Sequence, residues 1–414
     1  MPTPVRAVPP TYADRPMATD EQLATVPARR DRDRHATTGG VALGVSLAVA
    51  LAIQLVTDHT GRMYSDIGPA YHRWGIRPHQ LPYLDRHVEY PVVIGYVAWA
   101  ATWFAHNAIT FLEANAVLLA ALAIITTSLL HRRNPSRVLL FAASPTLALY
   151  AFHNWDLIPV AACVAGLIAH ERRRPVLAGS LLAVGAWAKV YPGFVLVALV
   201  VLAVERRDWR EARALVLSTA AMSAVLNLPV LLSSASGWWF PFRMQGNRHS
   251  TWGSVWFHLI RAPGLDQLGL NTARLANLAS FAGLGLGLVL VLLMARRGEL
   301  EPMAVAAAVV IVFLLTDKVY SPQYTLWLVP FFVLLPLPRR LWVALMAFDV
   351  AMYAVVFTHL DGGAKLSPRV RGDLVTLVAL GRAVVLVLVL LAVFRLRPDP
   401  AEAPTPRGRA IMAP

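Results

Sequence analysis

The chain has one cysteine and few charged residues, and each shortage excludes something. Cys163 has no second cysteine with which to pair, so the chain forms no internal disulfide, and cysteine usage does not reveal the redox compartment. Charged residues make up 15% of the chain, against 57% hydrophobic residues and a mean hydropathy of +0.54. This composition excludes a water-soluble globule of this size and predicts an all-α polytopic membrane protein.

Lysine is also scarce, since only three of the 38 Lys and Arg residues are lysines, and the formal net charge is +14. The arginines stand in short clusters between apolar runs. We interpret them as topology signals and expect no nucleic-acid partner, because no continuous basic stripe is present. No spacing of His, Cys and Asp is typical of a tight metal site, and no Gly-rich phosphate loop follows a strand pattern. We therefore expect no metal and no cofactor.

The two ends of the chain differ from its middle. Residues 1–38 are rich in Pro, Ala, Arg and Asp without periodicity, and 395–414 are rich in Pro. Both segments are predicted to be disordered cytoplasmic tails, flanking a transmembrane domain over 39–394. The first apolar run, 41–57, has no small-residue cleavage site after it, so it is interpreted as an uncleaved signal anchor in a bacterial plasma membrane.

Thirteen apolar runs follow one another along the chain. The number of them that cross the membrane decides on which side each connecting turn lies. The runs are 41–57, 91–105, 109–130, 137–152, 157–169, 175–188, 193–204, 214–232, 273–295, 302–316, 325–337, 341–358 and 374–394. If every run crossed the membrane, basic turns such as 132–137 would lie outside, against the positive-inside rule. The conflict disappears if 91–105, which is about 22 Å long as a helix, lies on the membrane surface. We therefore predict about twelve crossings and an interfacial helix in the first outer loop.

With twelve crossings, the basic turns face the cytoplasm together with both termini, and the polar motifs face the other side. The first outer segment, 58–108, is predicted to carry the chemistry. A second outer loop, 233–272, is dense in Trp and Phe, which is typical either of an interfacial belt or of a groove for a lipid chain. The outer motifs are Asp66, Glu89-Tyr90-Pro91, His153-Asn154-Trp155-Asp156, Lys189-Val190-Tyr191-Pro192 and Asp317 to Tyr324.

These motifs resemble those of the GT-C superfamily of membrane glycosyltransferases, and within it glycosyltransferase family 87. The resemblance covers most of 41–394, with one departure at Val92, where a second proline is expected. It implies transfer of a sugar, with mannose favoured, from a polyprenyl phosphate donor to a lipid or glycan acceptor on the extracytoplasmic face. The residues that carry the resemblance are Asp66, Pro82-Tyr83, Asp85, Glu89-Tyr90-Pro91, Lys189-Val190-Tyr191-Pro192, Lys318 and Ser321-Pro322-Gln323-Tyr324-Thr325-Leu326-Trp327.

Such a transfer needs a base for the acceptor hydroxyl and cations for the departing phosphate. Asp66 is predicted to be the base, in a direct displacement that inverts the anomeric carbon. The candidate phosphate ligands are the outer-face cations Lys318, Lys189, Arg243, Arg248 and His249. The candidates for orienting substrate are Asp85, Glu89, Tyr90, His153, Asp156, Gln323 and Tyr324.

For several of these candidates a purely structural role is also possible. Asp66 could be a helix cap or a solvated loop carboxylate, with Asp85 or Glu89 as the base in its place. Lys189 and Lys318 could merely extend toward the membrane interface from helix ends. Residues 153–156 are favoured to be an interfacial turn anchored by its tryptophan.

Two other functions remain open at this point, a transporter or lipid flippase and a non-catalytic scaffold. Transporters place ionisable groups near the bilayer midplane, whereas here the polar motifs gather at the outer ends of the runs. Within the runs, Asp349 and Arg382 fall at similar depths. Because an unpaired charge in a membrane is costly, we predict that these two residues form an ion pair.

Overall fold

A computed structural model describes residues 29–60, 65–260, 272–297, 300–360 and 368–396. Over these ranges the secondary structure is α-helical with short 3-10 turns, and no β-strand is present, which confirms the all-α fold class. The helices are α1 (Arg29–Thr60), α2 (Ile67–Arg73), α3 (Val92–Thr102), α4 (Ala108–Arg133), α5 (Leu139–Ala142), α6 (Pro145–Tyr150), α7 (Leu157–Glu171), α8 (Pro175–Ala186), α9 (Tyr191–Glu205), α10 (Trp209–Ser233), α11 (Ala235–Asn247), α12 (Val255–Ile260), α13 (Thr272–Arg296), α14 (Pro302–Thr316), α15 (Phe331–Leu334), α16 (Arg339–Leu360) and α17 (Pro368–Phe394).

Helix α1 begins within the segment that was predicted to be a disordered tail, so residues 29–38 are helical. Arginine is a good helix former, and an aspartate at position 31 lies in the first turn, where a negative charge is favourable. The hydroxyls of Thr37 and Thr38 donate to carbonyls one turn earlier. The rest of the two predicted tails, 1–28 and 397–414, lies outside the described residues.

Five of the described helices are long and apolar enough to cross a membrane. This confirms a polytopic membrane protein, while the count of about twelve crossings and the orientation of the termini stay predictions. Shorter apolar helices pack between the long ones. The five segments are Asp31–Val56, Ala108–Arg133, Trp209–Ser233, Ala273–Arg296 and Gly372–Phe394.

Two of the predicted spans are not continuous helices. The run 137–152 is divided into α5 and α6, with Ser144 as the N-cap of α6 and Pro145 as its first residue. The run 325–337 is divided between a 3-10 turn and α15 at Pro330. Proline lacks a backbone N–H and clashes with the preceding turn, so each proline ends one helical segment and starts another. An apolar run of this chain therefore does not always correspond to one continuous helix.

The predicted interfacial helix is the short helix α3. It has 11 residues and is therefore about 17 Å long, too short for a hydrocarbon core of about 30 Å. The hydroxyl of Tyr96 donates to the carbonyl of Leu226, and the N–H of Val93 donates to the carbonyl of Trp187. These bonds attach α3 to α10 and to the end of α8. Its length fits a surface position, and its orientation in the membrane stays a prediction.

The centre of the bundle is α14, which is apolar all round and buried from Met303 to Leu314. Helices α9, α13 and α17 pack around it, and α8 lies between α7 and α10. A helix without a polar face is stable only when neighbours cover it on every side. This central helix ends at Thr316, so it delivers the segment 317–324 to one end of the bundle.

The predicted ion pair between Asp349 and Arg382 is confirmed. Both side chains are fully buried, and Nη1 of Arg382 lies 3.7 Å from Oδ1 of Asp349. The carboxylate also accepts hydrogen bonds from Thr146 and Thr325, at 2.7 and 2.8 Å. The guanidinium of Arg382 stacks over the ring of Tyr320, 3.8 Å from its centroid. The pair therefore ties α16 and α17 to the segment that follows α14.

The described part of the predicted loop 233–272 is largely helical, over 235–247 and 255–260, and residues 261–271 lie outside the described residues. Helix α11 contacts the first outer segment at Gly237, where an added Cβ would collide with the backbone carbonyl of Tyr83. Tyr83 has a positive φ of 70°, and its hydroxyl donates to the carbonyls of Tyr90 and Pro91. The absence of a side chain at position 237 therefore sets how closely α11 approaches this segment.

We expect Gly237→Ala to destabilise the protein by about 1–3 kcal/mol, the usual cost of overpacking. The matched control is Gly246→Ala in the same helix, where an added Cβ meets nothing within 4 Å. Thermal unfolding of both variants in detergent checks this. If Gly237→Ala were as stable as the control, the backbone at Tyr83 would move aside without loss of stability.

Candidate active site

A cavity of about 770 Å³ lies where the first outer segment, helix α11 and the segment after α14 meet. Its walls come from parts of the chain that are distant in sequence, so only the fold assembles it. The cavity is lined by Asp66, Arg73, Glu89, Tyr90, His153, Phe240, Arg243, Met244, Gln245, Asn247, Arg248, Thr251, Trp252, Tyr320, Ser321, Pro322, Gln323, Tyr324 and Val356.

Asp66 lies in the wall of this cavity, immediately before α2, and is 9% exposed. Asp66 occupies the N-cap position of α2, but its carboxylate makes no capping hydrogen bond to the helix. Instead Oδ2 accepts from the side-chain amides of Asn154, at 2.5 Å, and Gln323, at 3.4 Å. Two amides from different parts of the chain thus fix the orientation of one carboxylate.

His153 contacts the same carboxylate from a third side, with Nε2 at 4.0 Å from Oδ2 of Asp66. Burial lowers the pKa of the imidazole, and the neighbouring carboxylate of Asp66 opposes this shift only in part. The ring is therefore neutral at pH 7. The N–H of Asp66 also donates to the carbonyl of His153, at 3.1 Å, so the backbone joins the two segments.

The segment 153–156 is not an interfacial turn, as was favoured, because all four of its side chains are buried. Trp155 stacks on Trp74, with centroids 5.3 Å apart, and its indole N–H donates to Asn115. The tryptophan is thus an internal anchor. It holds Asn154 where its amide reaches both Asp66 and the hydroxyl of Tyr90, at 2.7 Å.

Positive charge enters the cavity from the end of α11. Arg243 and Arg248 both line it and are exposed, and among the described residues neither guanidinium has an ion-pair partner within 4.0 Å. Arg243 lies near the ring of Phe240, 5.9 Å from its centroid. Guanidinium groups are suited to bind phosphate with two parallel hydrogen bonds. These two predicted phosphate ligands therefore face the same space as Asp66.

Lys318 does not line the cavity, contrary to the role of phosphate ligand predicted for it. Its ammonium group donates to the carbonyls of Gln245, Gly246 and Arg248, at 2.7, 3.4 and 2.6 Å. These bonds use all three of its donors on the end of α11, where a cation favours the carbonyl end of the helix dipole. Lys318 instead positions the turn that carries Arg248.

Lys189 does not line the cavity either. Its ammonium lies 2.9 Å from Oδ1 of the fully buried Asp156 and also lies over the rings of Tyr90, Tyr324 and Trp327. Burial with a carboxylate partner leaves neither charge available to a ligand in the cavity. The predicted roles of phosphate ligand for Lys189 and substrate-orienting residue for Asp156 are therefore not supported. The pair supports Tyr90 and Tyr324, which do line the cavity.

The remaining predicted residues divide into two groups. Glu89 lines the cavity and pairs with Arg73, at 3.4 Å. Asp85 and His249 do not line it. Asp85 instead accepts a hydrogen bond from the N–H of Leu81, at 2.7 Å, so it closes an exposed turn.

Several residues of this site were not among the site residues predicted from the sequence. Asn154 is one of them, although an amide between His153 and Trp155 in an apolar region indicates a hydrogen-bonded side chain. Arg73 is the last residue of α2, about two turns after Asp66, and that spacing places both residues on one side of the segment. Trp252 belongs to the aromatic segment 233–272, for which a groove was one of the two interpretations, whereas no sequence pattern indicates Thr251.

Besides the ion pair of Arg73 and Glu89, the cavity thus combines the oriented carboxylate of Asp66 with the guanidinium groups of Arg243 and Arg248. A carboxylate can accept a proton from a hydroxyl, and guanidinium groups can hold an anionic leaving group. Among the described residues, no group of three His, Cys, Asp or Glu side chains could hold a metal ion. The expectation of metal-free chemistry stays a prediction.

The fold and this cavity define a polytopic helical membrane protein with a polar site at one end of its bundle. The family model "Glycosyltransferase family 87" matches residues 89–316, more than half of the chain. The chain therefore belongs to glycosyltransferase family 87 and is a membrane glycosyltransferase, which confirms the family resemblance. No curated protein sequence matches the chain.

Solved structures show only distant similarity. The crystal structure of ArnT from Cupriavidus metallidurans bound to undecaprenyl phosphate is 15% identical, with a TM-score of 0.42, over 87% of this chain and 76% of that one. The apo structure of the same protein is 17% identical, with a TM-score of 0.43, over 87% and 78%. The apo oligosaccharyltransferase of Archaeoglobus fulgidus is 14% identical, with a TM-score of 0.41, over 88% and 57%. Similarity at this level assigns no residue and no substrate to this chain.

Proposed function

We propose that this protein moves a sugar, mannose in the first instance, from a polyprenyl phosphate donor to a hydroxyl of a lipid or glycan acceptor. The reaction takes place at the cavity, on the extracytoplasmic face of a bacterial plasma membrane, with both termini in the cytoplasm. One observation carries the proposal, which is that Asp66 and two arginines without an ion-pair partner in the described ranges, Arg243 and Arg248, line the same space.

In the proposed reaction, the acceptor hydroxyl loses its proton to the carboxylate of Asp66 as its oxygen attacks the anomeric carbon. A bond forms from that oxygen to the sugar, and the bond from the sugar to the phosphate oxygen breaks. The bonding electrons leave with the polyprenyl phosphate, whose added negative charge Arg243 and Arg248 stabilise. A single displacement inverts the anomeric carbon. A phosphate ester held by two cations is a sufficient leaving group without a metal.

The amides of Asn154 and Gln323 prepare Asp66 for this role. They hold Oδ2, so the carboxylate does not need to reorganise when the acceptor arrives. The imidazole of His153 is neutral, so it gives the carboxylate of Asp66 a polar contact without a positive charge that would pair with it. The ammonium group of Lys189 lies over the ring of Tyr90, 5.2 Å from its centroid, and this cation–π contact supports the cavity wall.

The direct test is transfer of labelled sugar by the purified full-length chain in lipid. Donors with mannose, glucose, galactose or arabinose on polyprenyl phosphate are compared with GDP-mannose, each with and without a chelator. We expect transfer from polyprenyl phosphate mannose alone, unchanged by the chelator, and an inverted linkage in the product. Transfer from the nucleotide sugar, or from none of the donors, would contradict the proposal, and loss of activity with the chelator would contradict its metal-free form.

The two arginines give a prediction of intermediate size. We expect Arg243→Gln and Arg248→Gln each to weaken binding of labelled polyprenyl phosphate about tenfold or more, since a hydrogen bond to a charged group contributes about 1.5–3 kcal/mol. The control is Arg86→Gln, which removes an exposed arginine of the first outer segment that does not line the cavity. Equal binding by all three variants would place the phosphate elsewhere.

A further inference from the structure

A second cavity, of about 360 Å³, lies between helices α1 and α4, at the other end of the bundle from the candidate active site. Helix α4 reaches the active-site end near Asn115, which accepts from Trp155. The second cavity is lined by α4 residues from Ile124 to Arg132. From Asn115 to His131 the helix rises by about 24 Å, so the two cavities open at opposite membrane faces. In the predicted orientation the second one is cytoplasmic.

The second cavity is lined by basic side chains, and no acidic side chain of the described residues lines it. His35 and His131 line it, and Nδ1 of each ring is buried without a hydrogen-bond partner among the described residues. Arg132 also lines it and is exposed, with no ion pair within 4.0 Å in the described ranges. Arg32 lies close enough to His131 to interact with it electrostatically. Two arginines and two imidazole donors therefore surround one small space.

Asp31 and Asp33 of α1 do not line the cavity. The lining positions 35, 36, 39, 40 and 43 span about 140° around the axis of α1 at 100° per residue. Arg32 falls near the middle of this arc, whereas Asp31 and Asp33 fall outside it, one beyond each edge. The structure shows no ion pair from either aspartate to a cavity residue within the described ranges. The cavity thus keeps its cationic character.

An apolar surface continues from the cavity along α4, beside α1. Val117 and Ile124 lie two turns apart on the face of α4 that lines the cavity, and they are 74% and 53% exposed. Both helices are long and apolar enough to span a membrane. A ligand that filled the cationic end and extended along this surface would itself have to be amphipathic, with an anionic head and apolar chains.

We propose that the cavity binds the phosphate group of an anionic phospholipid from the cytoplasmic leaflet. The phosphate oxygens accept hydrogen bonds from the guanidinium of Arg132 and from Nδ1–H of His35 and His131, while Arg32 adds charge. The acyl chains lie along the apolar surface of α4. Basic pockets between membrane helices on the cytoplasmic side suit such headgroups. This site is separate from sugar transfer, and its test does not depend on the proposed reaction.

The test uses the delipidated full-length chain in detergent and counts bound lipids by native mass spectrometry. Phosphatidylglycerol is the probe, phosphatidylcholine is the zwitterionic comparison, and inorganic phosphate is the competitor. Arg132→Gln is paired with Arg133→Gln, because Arg133 pairs with Glu171 and does not line the cavity. Gly40→Leu fills the cavity, whereas Gly44→Leu is its control; both positions have open space around an added Cβ, and only Gly40 lines the cavity.

We expect one phosphatidylglycerol to bind more tightly than phosphatidylcholine. The affinity should fall about fivefold in Arg132→Gln, the factor for one basic residue at a lipid surface, and further in Gly40→Leu, with both controls unchanged. Equal binding of the two lipids, or equal loss in each variant and its control, would overturn the proposal. Displacement by millimolar inorganic phosphate would show a free-anion site and would also overturn it.

Discussion

Asp66→Asn is expected to lower the turnover number for sugar transfer about a thousandfold, within the range that a general base contributes. The substitution keeps the size of the side chain, and an asparagine oxygen can still accept from the amide of Asn154. It removes the negative charge and, with it, the capacity to take a proton. Single-turnover transfer, measured together with donor binding and thermal unfolding, checks this, and binding and stability should stay near those of the wild type.

The matched control for that variant is Asp85→Asn, the same change in the same outer segment. Asp85 accepts from the N–H of Leu81 in an exposed turn and does not line the cavity, so turnover should be unchanged. If Asp66→Asn instead retained activity within tenfold of wild type, the base would lie elsewhere. Glu89 is the other carboxylate on the cavity wall, and Glu89→Gln would then be expected to carry the loss.

Composition, apolar runs and arginine clusters were enough to predict the all-α membrane fold, and the outer motifs were enough to predict the family. The motif positions also indicated which parts of the chain meet, since Asp66, the segment 153–156 and Gln323 contact one another in the structure. The breaks at Pro145 and Pro330 could have been predicted as well. Each proline stands inside an apolar run, and a proline has no backbone N–H with which to continue a helix.

The two lysines show what the sequence could not reveal. Lys318 binds three backbone carbonyls at the end of α11, and carbonyls are present at every residue, so no pattern singles out these three. Lys189 pairs with Asp156, 33 positions earlier in the chain, and charge alone does not distinguish an internal partner from a bound phosphate. A lysine at the predicted outer end of a helix therefore indicates an electrostatic contact. Only the fold shows whether its partner is a protein group or a bound phosphate.

The buried ion pair gives the second large prediction, which concerns stability. Arg382→Met is expected to cost about 3–5 kcal/mol, because it leaves the carboxylate of Asp349 buried without its cation. The control is Arg296→Met, which removes the same side chain from an exposed pair with Glu205, at 2.6 Å, where the cost should stay below about 1 kcal/mol. Unfolding of both variants in detergent, by heat and by denaturant, measures the difference.

The double variant Arg382→Met with Asp349→Asn separates loss of attraction from the burial of an unpaired charge. The amide oxygen that Asp349→Asn introduces would still accept from Thr146 or Thr325, so the double variant should recover part of the stability that Arg382→Met loses. If it recovered none, the cost would come from the other contacts of Arg382, which donates to the carbonyl of Gly253 and stacks on Tyr320.

Those contacts extend the effect of the pair from stability to the candidate active site. Tyr320 lines the cavity, and Gly253 follows directly after Trp252, which lines it too. An added Cβ at Gly253 would collide with the carbonyl of Tyr320, so the two backbones meet without space between them. Loss of Arg382 should therefore destabilise the part of the cavity wall formed by Trp252 and Tyr320 as well as the helix bundle. We expect Arg382→Met to weaken binding of polyprenyl phosphate at temperatures where the protein remains folded, and Arg296→Met to leave that binding unchanged.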